Sequence, residues 1–69
     1  MITQEDIRKR LIEVIKQSGL TQTAISKNLA ISQQTLSHYI NGNKMPALDT
    51  FANLCVVLDV DANEILGIK

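Results

Sequence analysis

Aliphatic side chains recur every third or fourth residue along this chain, and a small polar residue or a glycine stands wherever the pattern lapses. That combination leaves room for little besides short amphipathic helices. Ile7, Leu11 and Ile15 form one stripe, with Val14 beside it. Thr3 is placed to cap this first helix, with Asp6 three residues on, and Gly19 is placed to end it. Thr21 predicts the start of a second helix with Ala24, Ile25 and Leu29 inward. Ser32 predicts a third, in which Leu36, Tyr39 and Ile40 point to the core while Gln33, Gln34, Ser37 and His38 point away. Asn41-Gly42, a pair that tolerates positive φ, is expected to close it. Pro46 is expected to open a fourth helix with the stripe Leu48, Phe51, Leu54, Cys55, Leu58. Asp61 and Glu64 read as a capping box for a last short helix that carries Ile65 and Leu66 and stops at Gly67. Only "CVVLDV" could pass for a strand. The expected class is all-α, with five short helices.

Length sets the next bound. Sixty-nine residues make one domain, 1–69, with a small core. Such a chain needs dense helix packing, a staple or a partner copy. A lone cysteine, Cys55, permits no internal disulfide, and its place in an apolar stripe makes it core packing. The surplus of apolar residues near the C-terminal end, Val57, Ile65, Leu66 and Ile68, suggests a weak homodimer contact. No apolar run approaches the ~20 residues of a membrane span. "MITQEDIRKR" carries charges where a secretory signal needs its apolar centre. A cytoplasmic location is the expectation.

Charge is more telling in its distribution than in its sum. Formal net charge is zero. Yet from Val14 to Leu48 there is no acid at all, while Lys16, Lys27 and Lys44 are present. Asp49, Asp59, Asp61 and Glu64 follow without a base among them. One face kept free of negative charge suits an anionic partner. The run Arg8-Lys9-Arg10 fits either a phosphate contact or a solvated helix face. His38 lacks the spaced companions a metal site requires, so no metal is expected. No paired reactive groups, Gly-rich phosphate loop, cofactor motif or small-molecule site is evident, and an enzyme is not expected.

Two helices joined by a tight turn, the second with a polar outer face, describe a helix-turn-helix over about residues 21–41. The stretch "LTQTAISKNLAISQQTLSHYINGNKMPALDTFANLCVVLDVDANEIL" resembles the DNA-binding domain of the phage Cro and CI repressors and their bacterial relatives. The likeness spans roughly residues 7–66. Gln22 matches the Gln that opens the family's second helix. Ile25, Leu29, Ile31, Leu36 and Tyr39 match its apolar positions, Ser26 its small mid-helix residue, and Asn41-Gly42, Pro46 and Asp49-Thr50 its trailing elements. The sequence departs from the pattern at Ala30, where the left-handed turn usually has Gly, and in having few basic residues. The resemblance implies a compact five-helix, lambda-repressor-like fold. It also implies that Gln22 braces Gln33.

Base chemistry gives the uncharged face a purpose. The major groove admits one α-helix, and adenine there offers an acceptor beside a donor. A glutamine amide can answer both at once. Gln33 and Gln34 stand in the first turn of the third helix, the part that reaches deepest into the groove. Alone, two glutamines on a helix are a solvated surface; within this pattern they are expected to contact bases, with Ser37 and His38 following at base edges or the groove's rim. Thr21, Gln22, Thr23, Lys27, Asn41, Asn43 and Lys44 are expected on the DNA backbone. The function expected is sequence-specific binding of double-stranded DNA, as a repressor-type regulator that docks helix 33–40 as a homodimer on a palindromic operator. The alternative is a protein-interaction module, such as an antitoxin-like domain, with secondary DNA binding.

Overall fold

The computed structural model describes residues 1–68. Helix α1 runs Gln4–Gln17, α2 Gln22–Leu29, α3 Gln33–Ile40, α4 Leu48–Leu58 and α5 Ala62–Leu66. Among the described residues there is no strand, and Cys55–Leu58 of the ambiguous stretch are helical. α1 packs against α3 and α5, and α2 packs against α3 and α4. These helices enclose one core of Leu11, Ile15, Ile25, Leu36, Tyr39, Leu54, Cys55, Leu58 and Ile65. Ile7, Val14, Leu29, Ile31, Ile40 and Phe51 pack around its edge.

Helix starts follow local side-chain chemistry. The Thr3 hydroxyl accepts from Asp6 N–H at 3.2 Å and the Asp6 carboxylate accepts from Thr3 N–H at 3.3 Å, a full capping box. Thr21 accepts from Ala24 N–H at 3.1 Å, and Ser32 from Thr35 N–H at 3.0 Å. Each hydroxyl satisfies one of the N–H groups that a helix start leaves without a partner.

Helix ends explain how the chain manages without glycine at the motif's turn. Ala30 sits at φ +55°, in the left-handed region. Two backbone bonds hold it there: Ile31 N–H donates to Ser26 C=O at 3.1 Å and Ala30 N–H to Lys27 C=O at 3.2 Å. The same pair of bonds closes α4 at Asp59, also at φ +55°. The left-handed cost of about 1–2 kcal/mol for a residue with a Cβ is thus borne twice, and the tight turn between α2 and α3 forms as the motif requires.

Five details differ from the sequence reading. Asn41 keeps right-handed angles, and Gly42 alone takes φ +79° at the end of α3. Pro46 does not open α4, which begins at Leu48 behind Ala47, a cap with no side-chain bond. A proline ring is equally at home in the extended approach to a helix. Leu48 is 86% exposed, so it does not belong to the α4 stripe. It is the first residue of the helix, where side chains tilt back toward the N-terminus and away from the core. At α5, Asp61 accepts from Asn63 N–H at 2.9 Å rather than from Glu64. Glu64 N–H bonds the Asp61 carbonyl instead, as in a tighter 3₁₀-type first turn. Ile65 is fully buried and cannot join a dimer contact.

Candidate nucleic-acid interface

Burial fixes which side of α3 faces out. Leu36 is 0% exposed and Tyr39 6%, and both belong to the core. A helix anchored at these positions cannot rotate without emptying the core. Gln33 and Gln34 are therefore held at the surface of its first turn, both exposed. Ser37 and His38 lie one turn further along and are half-buried. The Asn41 amide donates to the Ser37 hydroxyl at 3.2 Å, which ties the end of α3 to its outer face.

The start of α2 lies beside that face. Thr21, Gln22, Thr23 and Lys27 are exposed. The Gln33 side-chain amide donates from Nε2 to Thr23 Oγ1 at 3.2 Å. The brace expected from Gln22 is thus made by its neighbour, whose hydroxyl lies on the side of the α2 start that meets α3. Gln34 makes no side-chain hydrogen bond among the described residues. The two glutamines differ in a way the sequence does not show: one amide is oriented, the other free.

The loop after α3 carries Asn41, Asn43 and Lys44, all exposed. Asn43 N–H donates to His38 C=O at 2.9 Å and Gly42 N–H to Tyr39 C=O at 3.3 Å, so the loop leaves the helix in one direction. Arg8 fixes it from the other side. Its guanidinium donates from Nη1 to the Gly42 carbonyl at 3.4 Å and pairs with the Glu5 carboxylate. A Cβ on Gly42 would collide with that guanidinium, and the positive φ already favours glycine. The sequence gives no sign of Arg8 as a positioning residue for this loop. Its partner lies 34 residues away and no local pattern reports it.

The remaining arginine is also committed inside the molecule. Arg10 donates from Nε to the Ile65 carbonyl at 2.7 Å and from Nη2 to the Leu66 carbonyl at 3.0 Å. Of the run Arg8-Lys9-Arg10, only Lys9 is exposed. Lys27 and Lys44 form no ion pair among the described residues. The surface from α2 to the loop after α3 thus has free cations, amides and hydroxyls, and no carboxylate.

Other chemistries find less support. Among the described residues no three His, Cys, Asp or Glu side chains gather as a metal site requires. A cleft of about 200 Å³ beside Gln4, Glu5, Arg8, Gly42 and Met45 is smaller than the ~300–1,000 Å³ of a small-molecule site. Cys55 is buried, and burial, reinforced by the Asp61 charge, pushes its thiol above the ordinary range. It is a poor nucleophile there. Among the described residues no helix is long and apolar enough to cross a membrane.

A family model described as helix-turn-helix matches residues 11–65. No curated protein and no solved structure matches the chain.

Proposed function

Because the chain belongs to the helix-turn-helix family of Cro and CI type, a family of DNA-binding transcription regulators and generally not of enzymes, we propose that it is a repressor that reads a palindromic operator as a homodimer. Inside the cell it would meet its double-stranded DNA with α3 laid in the major groove. Gln33 and Gln34 contact bases, and Ser37 and His38 follow at base edges or the groove's rim. Thr21, Gln22, Thr23, Lys27, Asn41, Asn43 and Lys44 hold the backbone. The observation that carries this reading is the acid-free face of α3, anchored from behind by Leu36 and Tyr39. An anchored helix fixes where each amide points, and base readout requires that.

The homodimer follows from operator geometry rather than from a seen contact. Two motifs must sit about 34 Å apart to enter successive major grooves on one side of the duplex. With Ile65 withdrawn to the core, Val57, Leu66 and Ile68 remain as contact candidates, and Ile68 is 53% exposed. The rival reading, a partner-binding module with secondary DNA contact, draws on Leu48 and Val56, which are 86% and 78% exposed on α4.

Selection of bound sequences from random duplex DNA tests the proposal. A palindromic consensus, with two chains per duplex by sedimentation, is the expected result. Enrichment of no site at low salt would overturn it in favour of the partner-binding reading.

A further inference from the structure

Asn41 precedes a glycine, and the four other asparagines do not: Asn28 and Asn53 precede leucine, Asn43 lysine and Asn63 glutamate. The order matters because an asparagine side chain is open to attack by the backbone nitrogen that follows it. Gly42 has no Cβ to crowd that attack, and its backbone reaches conformations closed to other residues. The structure adds access, since Asn41 is exposed at the surface end of α3. It also shows the restraint. Asn41 N–H donates to Ser37 C=O at 2.8 Å and Nδ2 to Ser37 Oγ at 3.2 Å. The attacking nitrogen, that of Gly42, is engaged by one longer bond, to Tyr39 C=O at 3.3 Å. These bonds lie in the last turn of a helix, where fraying costs little.

The surroundings give the reaction a consequence. From Val14 to Leu48 there is no carboxylate, and exposed Asn43 and Lys44 follow Asn41 directly in the loop. We propose that Asn41 is a site of spontaneous deamidation, and that the carboxylate formed there on the acid-free surface limits the working life of the DNA-reading face. The second half rests on the DNA-reading function proposed above. In the first step the Gly42 nitrogen loses its proton to base and bonds to Asn41 Cγ. The Cγ–Nδ2 bond breaks, and Nδ2 leaves as ammonia with a proton from water. A water molecule then opens the cyclic imide at one of its two carbonyls. One opening leaves aspartate. The other leaves isoaspartate, whose main chain runs through the side-chain carbon and displaces the loop that carries Asn43 and Lys44. Either product sets a negative charge at the C-terminal end of α3, where the helix dipole opposes it, and beside the phosphates the loop would meet.

For the test, folded wild type and Asn41→Gln are aged in mildly alkaline buffer, mapped peptide by peptide and titrated with duplex DNA. Glutamine closes the equivalent, larger ring far more slowly. Conversion should appear at Asn41 ahead of the other asparagines. The affinity of wild type should fall in step with the converted fraction, while that of Asn41→Gln, whatever its starting value, should not decay. Freshly made Asn41→Asp should bind every duplex about tenfold more weakly at low salt, with the loss shrinking as salt screens the charge. The acidic form separated from aged wild type is titrated beside it, so the result does not hang on one variant folding. If another asparagine converts first, or none converts, the inference is overturned. If Asn41 converts and the acidic forms bind like fresh wild type, it is overturned as well, and the DNA-reading function stands. If fresh wild type selects no site, that function falls and the proposed consequence with it.

Discussion

The pairs α2–α3 and α1–α5 use their polar side chains for different ends. In α2–α3 the outer face carries amides and hydroxyls whose bonds are short-range, such as Thr23 to Gln33 and Asn41 to Ser37. From α1 the strongest donors of the chain, Arg8 and Arg10, reach across 34 to 56 residues to backbone carbonyls, Arg8 to the loop after α3 and Arg10 to α5. A guanidinium presents a rigid fork of donors and suits the carbonyl-rich end of a helix. An amide both donates and accepts and suits a base edge. The two arginines of the run that looks most like a nucleic-acid patch in the sequence thus hold the fold, and the uncharged glutamines of α3 stay at the surface.

That contrast can be broken first through the core both pairs share. Leu36→Ala empties a fully buried site behind the recognition face and should cost about 2–5 kcal/mol in denaturant unfolding. An unchanged midpoint would mean that α3 is not anchored, and the argument for oriented amides would go with it. Arg10→Ala sharpens the other side. It removes two charge-assisted bonds to α5 and should cost about 1–3 kcal/mol of stability. Binding to random duplex DNA, measured well below the unfolding transition, should not change. A drop in random-duplex affinity with intact stability would return Arg10 to the phosphate.

Much of this was legible in the residues themselves, for a definite reason. Thr3, Thr21 and Ser32 act on N–H groups three residues away, so sequence neighbours report them. The buried stripe of α3 repeats often enough to set its facing. What was not legible depends on distance or on brevity. Arg8 and Arg10 find partners that no window contains. α5 has five residues, too few for periodicity to tell Ile65 in the core from a surface residue. The start of α4 lacks a side-chain cap, so the proline two residues before it is the only local marker the sequence offers. Thr23 in place of Gln22 as the brace is a matter of which of two adjacent side chains lies nearer, and that is set by the tertiary packing of α2 on α3.

An amide test, a charge test and a titration complete the series. Gln33→Ala or Gln34→Ala should each weaken the best site by about 1–3 kcal/mol, with random-duplex binding and thermal stability unaltered. Equal losses on both duplexes would make these glutamines a solvated face. Lys44→Ala should weaken all duplexes alike and lower the salt slope by about one unit. A loss confined to one sequence would make Lys44 a base reader. The smallest effect belongs to Cys55, which serves neither face. Its thiol is raised in the fold by burial and then by Asp61, so the folded state favours the protonated form. Its contribution is complete below the thiol's unfolded value and fades as pH rises from there through the folded one. The stability difference between wild type and Cys55→Ala should therefore shrink above pH about 8.5. A difference that stays flat at higher pH would show that the thiol is not protected.

The bond from Arg10 to the Ile65 carbonyl also has a meaning in time. The two residues are 55 positions apart. At roughly 5–20 residues per second of synthesis, Arg10 waits about 3–11 s before its acceptor is made. Before that interval ends the nascent chain holds the whole of α2 and α3, whose turn closes on bonds made within a few residues. It lacks Ile65, so its core has a vacancy beneath α1. The local bonds that join α2 to α3 thus have both partners before the acceptor that ties α1 to α5 exists.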